Sequence, residues 1–530
     1  MTATVTAALP HKALYRTAEP VLVDGPAGPV TVYSLGAPVR TVDSAGGVVD
    51  LGVLPAGGYG VEFAAGPRTA VEVVDDPRTR MRYGFLVDYA PGRDVDAVAE
   101  LVRRLHLTAV QFYDWAHRHA ALLPGDPAVQ EYADALGQPV SLATVRRLVG
   151  AVQRAGAVAL GYAAVYGVGT DEWPQWRHDA LLRPSGVPYG LGDFLSLVDP
   201  AAPDWSAHLR SDLAAAVRAL GFDGFHLDQY GYPKFARRAD GADVDVAASF
   251  DATIRGIRDE LPAARLVFNQ VNDFPTWRTA SSPQDATYIE VWPPQVTLGD
   301  LARTVTRAHA AAPLRPVVIA AYQAVYLQAE PDSADRATML TMATLFSHGA
   351  TQLLAGETGH LLVDPYYVRN HGAGPETLAV LTRWYDFLVE HGELLLDPAA
   401  ADVTGSYAGS YNGDLDVTYP EAEVTGDPVA GGVWRRIVEL PGRLVVHLIN
   451  LVGQPDTVWD SARRPFGDPG GGLLRVRRFG PGLPRVRVAD PDGTPRLTEV
   501  VVRADGDDAV VVLPPITAWQ LISIETRSGN

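Results

Sequence analysis

The chain contains no cysteine, which excludes disulfides, thiolate-bound metal and a cysteine nucleophile. Positive charge is scarce: 44 Lys and Arg stand against 62 Asp and Glu in 530 residues, a net charge of −18. Nucleic acids and anionic membrane surfaces recruit basic patches, so neither is expected as a partner. No uninterrupted apolar run reaches membrane-spanning length. The 13 histidines include no HExxH pair, and His117 and His119, two apart, would diverge on a helix. Neither Ser196 nor Ser211 sits in a GxSxG elbow. No metal and no cofactor is expected. The N-terminus lacks an apolar core of signal-peptide length. With Met1 as the native start this predicts a cytoplasmic protein; a trimmed chain would leave an extracellular one open.

Hydrophobic residues make up 47% and charged residues 20%, the balance of an ordinary globular protein. The length predicts several domains. Residues 1–80 read as a small immunoglobulin-like β domain, because VLVDG, VTVYSL, VVDLGVL and TAVEVV are short β-rich runs broken by Gly, Pro and Asp. From 81 to 396 strand and helix patterns alternate. Strands are expected at 82–89, 109–115, 157–167, 223–227, 265–271, 286–292, 315–324 and 351–357. Helical stripes fall between most of them, such as Leu142, Val145, Leu148 and Val152 behind a capping Ser141. Eight such strands predict a central (β/α)8 TIM barrel. An open doubly wound sheet is disfavoured, since no Gly-rich phosphate loop follows the first strand. Residues 397–530 carry strand patterns alone and read as a C-terminal β-sandwich.

The chemistry is expected at the C-terminal tips of the barrel strands. In GFDGFHLDQYG (221–231), strand alternation puts His226 and Asp228 on one face and Phe225 and Leu227 on the other. A lone Asp at a strand end is usually a turn residue. Here a second strand, ATYIEVWPP, presents Glu290 in the same way. The tips also supply Asp88, Asp114, Tyr166, Asn269, Gln270, Trp292, Gln323, Glu357 and His360. Carboxylates and amides that match hydroxyl groups, with aromatic faces on which pyranose rings rest, make a sugar site. Each has a plainer reading: Asp114 as a loop cap, His226 as a core histidine, Trp292 as rim packing. Two opposed carboxylates remain the best chemical hypothesis, because glycosidic cleavage needs such a pair.

Taken together, QFYDW (111–115), GFDGFHLDQYG, FNQVNDF (268–274), YIEVWP (288–293) and GETGHLLVDPYY (356–367) resemble glycoside hydrolase family 66, the endo-dextranases and cycloisomaltooligosaccharide glucanotransferases. The resemblance spans the barrel and also fits the flanking β domains. It implies that Asp228 is the nucleophile, Glu290 the general acid/base and Asp114 a ligand of the sugar in the −1 subsite. It implies retaining cleavage of α-1,6-glucosidic bonds in dextran or isomaltooligosaccharides. Tyr166, His226, Asn269, Gln270, Trp292, Glu357 and His360 are the further substrate-binding candidates. The missing leader and the missing carbohydrate-binding insertion of the cyclising members depart from the family pattern. Three alternatives stand beside hydrolysis: transglycosylation on the same scaffold, a glycosidase of other linkage, and a non-catalytic carbohydrate-binding protein. No residue pattern speaks to oligomeric state.

Overall fold

The structure is a computed structural model that describes residues 7–407, 413–478 and 482–525. Its centre is a curled sheet whose eight long strands run parallel and in chain order: β1 (Tyr83–Leu86), β2 (Ala109–Phe112), β3 (Val158–Ala164), β4 (Gly224–Asp228), β5 (Arg265–Asn269), β6 (Ala286–Glu290), β7 (Val317–Ala320) and β8 (Ala350–Leu353). All eight predicted strands are present. Beyond β8 the chain continues to Gly356, which pairs in parallel with Phe85 of β1.

Helices follow the strands: α1 (Asp96–Arg104), α2 (Leu142–Arg154), α3 (Pro203–Leu220), α4 (Val246–Glu260), α5 (Thr276–Thr279), α6 (Leu298–Ala311), α7 (Pro331–Ser347) and α8 (Pro375–Glu390). Their apolar stripes face the sheet, as Leu142, Val145, Leu148 and Val152 of α2 show. Local chemistry sets their ends. Asp245 accepts the backbone N–H groups of Ala247 and Ala248 at the start of α4, Thr297 and Asp300 form a capping box on α6, and α3 stops at Gly221 in the left-handed conformation. Ser141 sits at the N-cap position of α2 but makes no side-chain cap bond. After β5 the helix is reduced to the single turn of α5.

The N-terminal segment forms a three-stranded and a five-stranded sheet around Val21, Val23, Val32, Leu51, Val61 and Val71. The C-terminal segment forms a seven-stranded and a four-stranded sheet sharing a core that includes Val433, Val446, Leu474, Val511 and Ile522. Trp519 of the seven-stranded sheet also stacks on Trp384 of α8 and meets Phe346 of α7, so the central apolar core runs on into that sheet. Among the described residues no helix is long and apolar enough to cross a membrane.

Buried charge fastens the N-terminal segment to the central sheet. Glu72 and Arg82 are 1% and 0% exposed and ion-paired, and Arg80 approaches Glu72 from the other side. Burial works against the charge of Glu72, yet the two guanidinium groups hold its carboxyl below the usual range. Asp386 of α8 accepts bonds from Ala70 N (2.9 Å), Thr69 Oγ1 (3.2 Å) and His106 Nε2 (2.8 Å). Removing one partner of such a cluster leaves uncompensated buried charge. Glu72→Gln is therefore expected to lower the free energy of the first urea-unfolding transition by ~3–5 kcal/mol. A change below ~1 kcal/mol would show that this linkage carries little of the stability.

Candidate active site

Register decides which side chains meet inside the curled sheet. Paired residues of parallel strands present side chains to the same face. Tyr162 pairs with His226 and Ala164 with Asp228. Leu227 pairs with Phe268, so Asn269 stands level with Asp228. Asn269 pairs with Tyr288, which puts Glu290 two residues nearer the rim on the same face. Glu290 pairs with Ala320, and Tyr322, two residues on, points the same way. Tyr162, His226, Asp228, Asn269, Tyr288, Glu290 and Tyr322, with Gln111, Tyr113, Asp114, Trp292 and the Pro365–Tyr367 loop, line a cleft of about 290 Å³ at the C-terminal end of the strands. A larger cavity of about 410 Å³ lies at the opposite end of the sheet, between Met81, Val317, Thr351 and Arg436.

Asn269 joins the two acids. Its Nδ2 donates to Asp228 Oδ1 at 2.7 Å and to Glu290 Oε2 at 2.9 Å. The facing oxygens therefore lie no further apart than these two bonds laid end to end. Each acid has a second donor of its own: Tyr162 Oη to Asp228 Oδ2 at 2.7 Å and Tyr322 Oη to Glu290 Oε1 at 2.8 Å. Burial pushes Glu290 up from 4.5 to about 7, and the nearby charge of Asp228 adds to the rise. Burial also raises Asp228, while Asn269, Tyr162 and the backbone of Gln229 draw it back. At about 7, Glu290 still has a proton to give near neutrality.

Below the acids, His226 is buried with Nδ1 3.0 Å from Tyr83 Oη. Desolvation lowers it to about 3, so its ring is neutral. Tyr288 meets it edge-on at 4.8 Å. Asp114 lies just past β2 and would point away from the interior by simple alternation. Its backbone takes φ 49°, a left-handed conformation that Asp tolerates, and its side chain lines the cleft. Burial, with Asp134 and Asp228 near it, raises its carboxyl well above the usual range. Among the described residues no group of three or more His, Asp or Glu could hold a metal ion.

The structure brings Asp114, His226, Asp228, Asn269, Glu290 and Trp292 together in the cleft. It places four other expected ligands outside. Gln270 follows Asn269 on the strand, so alternation turns it outward, where Nε2 donates to Thr279 Oγ1 at 3.2 Å. Tyr166 lies beyond the end of β3, and its hydroxyl is spent on Tyr232 O (2.6 Å) and Tyr230 N (3.0 Å). Glu357 is ion-paired with Arg93 and accepts the backbone N–H groups of Val87 and Asp88, which is a structural role. His360 sits on a small antiparallel extension against Gly372, away from the cleft. Tyr162, Tyr322, Tyr113, Tyr288 and Tyr367 escaped the sequence reading. Their signal was present: Tyr162 and Tyr322 keep the two-residue spacing of Leu160 and Ala320.

The burial of Glu290 has a consequence for stability. Its folded pKa stands above its unfolded value, so the folded state binds the extra proton. The stability that this proton confers is complete below about 4.5 and is lost as pH rises through about 7. Glu290→Gln carries no such charge. It is expected to gain ~2–3 kcal/mol over the native chain between pH 5 and pH 8.5 in urea titrations. Parallel pH profiles for the two proteins would contradict the assignment.

The sequence profile of glycosyl hydrolase family 66 matches residues 58–522. A cycloisomaltooligosaccharide glucanotransferase of Niallia circulans is 25% identical over 344 residues, 58% of this chain and 34% of the relative. A dextranase of Streptococcus salivarius is 23% identical over 451 residues, 73% of this chain and 54% of the relative. The chain thus spans between a third and just over half the length of these relatives. The crystal structure of a cycloisomaltooligosaccharide glucanotransferase of Paenibacillus sp., in complex with cycloisomaltoheptaose, superposes with a TM-score of 0.86 at 18% identity, covering 98% of this chain and 99% of that one. With the family profile covering the curled sheet, both acids and most of the C-terminal sheets, the chain belongs to glycosyl hydrolase family 66.

Proposed function

We propose that the protein is a retaining glycoside hydrolase acting on α-1,6-linked glucans, with Asp228 as nucleophile and Glu290 as general acid/base. The observation that carries this reading is the shared donor. One amide nitrogen within bonding distance of both acids keeps the facing oxygens close, as the ~5–5.5 Å of a retaining pair requires. An inverting pair stands ~6.5–9.5 Å apart to admit a water between acid and base. Support for the substrate comes from the names of the relatives, a dextranase and two cycloisomaltooligosaccharide glucanotransferases.

In the first step the protonated carboxyl of Glu290 gives its proton to the glycosidic oxygen. The bond from that oxygen to C1 breaks as an Asp228 oxygen attacks C1 from the opposite face, forming a β-glucosyl ester. In the second step the Glu290 carboxylate takes a proton from water or from a sugar hydroxyl. The freed oxygen attacks C1, the ester bond breaks, and the α configuration returns. Asp114 and His226 hold hydroxyls of the sugar at C1, and Trp292 supports its neighbour beyond the scissile bond. Water as acceptor gives hydrolysis. A hydroxyl of another glucan gives transfer, a second reading that the names of the glucanotransferase relatives favour.

The scaffold fits this use as a closed (β/α)8 barrel over 81–396, between an immunoglobulin-like β domain (1–80) and a C-terminal β-sandwich (397–530). The parallel pairing of Gly356 with β1 supports closure. Enzymes on such barrels place their chemistry at the C-terminal strand ends, where the cleft lies.

Asp228→Asn and Glu290→Gln should each lower kcat on isomaltooligosaccharides by ~10³-fold or more with the fold intact. Azide should rescue the truncated forms with opposite stereochemistry: an α-glucosyl azide from Glu290→Ala and, with an activated substrate, a β-glucosyl azide from Asp228→Gly. Near-native activity in either variant removes that residue from the mechanism, and swapped azide anomers reverse the roles. Chromatography of products from dextran then separates linear fragments from cyclic or lengthened ones.

A further inference from the structure

Among the described residues, Phe235 and Trp277 are the two aromatic side chains left exposed, at 72% and 70%. Every other described aromatic residue is buried or partly buried. A short chain of contacts links the two. Phe235 pairs across a short hairpin with Asp245, and Asp245 bridges to Arg278, the neighbour of Trp277, at 3.3 Å. A second link runs through buried Phe274, whose ring meets Trp277 at 5.7 Å and carries the ammonium of Lys234, the sequence neighbour of Phe235, at 3.5 Å from its centre.

Both aromatics are held on firm supports. Trp277 rides on α5, whose Thr276 and Thr279 are buried. Thr279 is bonded by Gln270 Nε2 (3.2 Å) and, through its carbonyl, by Gln284 Nε2 (2.9 Å). Phe235 rides on the hairpin whose Asp245 caps α4. The patch is also tied to the cleft. It belongs to the loops that leave β4 and β5, the strands that end in Asp228 and Asn269. Gln229, which lines the cleft, donates to Phe274 O at 3.0 Å.

We propose that Phe235 and Trp277 form an accessory glucan-binding surface beside the cleft, on which outlying glucose rings of a long substrate rest their apolar faces. The inference builds on the α-1,6-glucan reading above. A large aromatic ring kept in water forgoes ~1.5–3 kcal/mol of burial, and the described residues leave these two mostly uncovered. Pyranose faces suit them, since rigid aromatic platforms give contact area at little entropic cost. The α-1,6 linkage adds a rotatable bond per glucose unit, so a free chain end samples many conformations. A second hold near the cleft raises the effective concentration of the scissile segment. The effect is reserved for substrates long enough to bridge cleft and patch.

The test compares the native chain with Trp277→Ala, Phe235→Ala and the double variant on polymeric dextran and on isomaltotriose. The expected result is a rise in KM for dextran of at least about 5-fold in the double variant, with kinetics on isomaltotriose unchanged and Trp277→Tyr largely restored. In native gels cast with dextran, the Asp228→Asn protein should be retarded, and the added double substitution should abolish the retardation. An unchanged dextran KM and migration overturns the proposal, as does an equal loss on both substrates. A shift in sedimentation between native and double variant also overturns it, by assigning the patch to a second copy of the chain. A native protein that neither cleaves nor binds any α-1,6-glucan overturns the substrate reading instead.

Discussion

One nitrogen, Nδ2 of Asn269, stands between two carboxylates that would otherwise repel or share a proton. A direct contact between Asp228 and Glu290 would produce a dyad with its proton held in common, as like charges at short range enforce. The amide prevents this. It has two hydrogens to give and no lone pair on that side to accept one, so it links the acids without relaying a proton. Each carboxylate also has a tyrosine hydroxyl of its own. Burial, with the nearby Asp228, pushes Glu290 up to about 7, so it has a proton to give near neutrality.

That arrangement requires three strands in strict register. Asn269 reaches both acids because it is level with Asp228 and two residues below Glu290 on the same face. A one-residue slip of β5 would send Gln270 inward and Asn269 into the helix layer. The rest of the molecule holds this register. The helices close over the outer face, and the Glu72–Arg82 and Asp386 clusters clamp the base of the sheet to the N-terminal segment. The C-terminal sheet packs through Trp519 against α7 and α8. The cost of the site is paid in stability above neutral pH, where a buried Glu290 must shed its proton.

The strand–helix alternation was legible because it is written in hydrophobic periods, and each of the eight strands lies where those periods put it. His226 and Asp228 share the inward face that alternation along a single strand assigns them. The errors arose where a strand tip was read as a cluster rather than a register. Asn269 and Gln270 cannot both face inward, and Tyr322 rather than Gln323 keeps the spacing set by Val318 and Ala320. Asp114 reaches the cleft through a left-handed backbone that no local pattern announces. Glu357 is a carboxylate at a strand end whose fate depends on Arg93, a residue 264 positions away. Long-range pairing of that kind leaves no local trace in a sequence.

Under the proposed mechanism, two carboxylates this close retain the anomeric configuration. Proton NMR of the anomeric region during the first minutes of isomaltooligosaccharide hydrolysis reads it directly, before mutarotation mixes the products. The account predicts that the new reducing ends appear as the α anomer. Initial release of the β anomer would contradict it, because it would require a water between the two acids where Asn269 now holds them together.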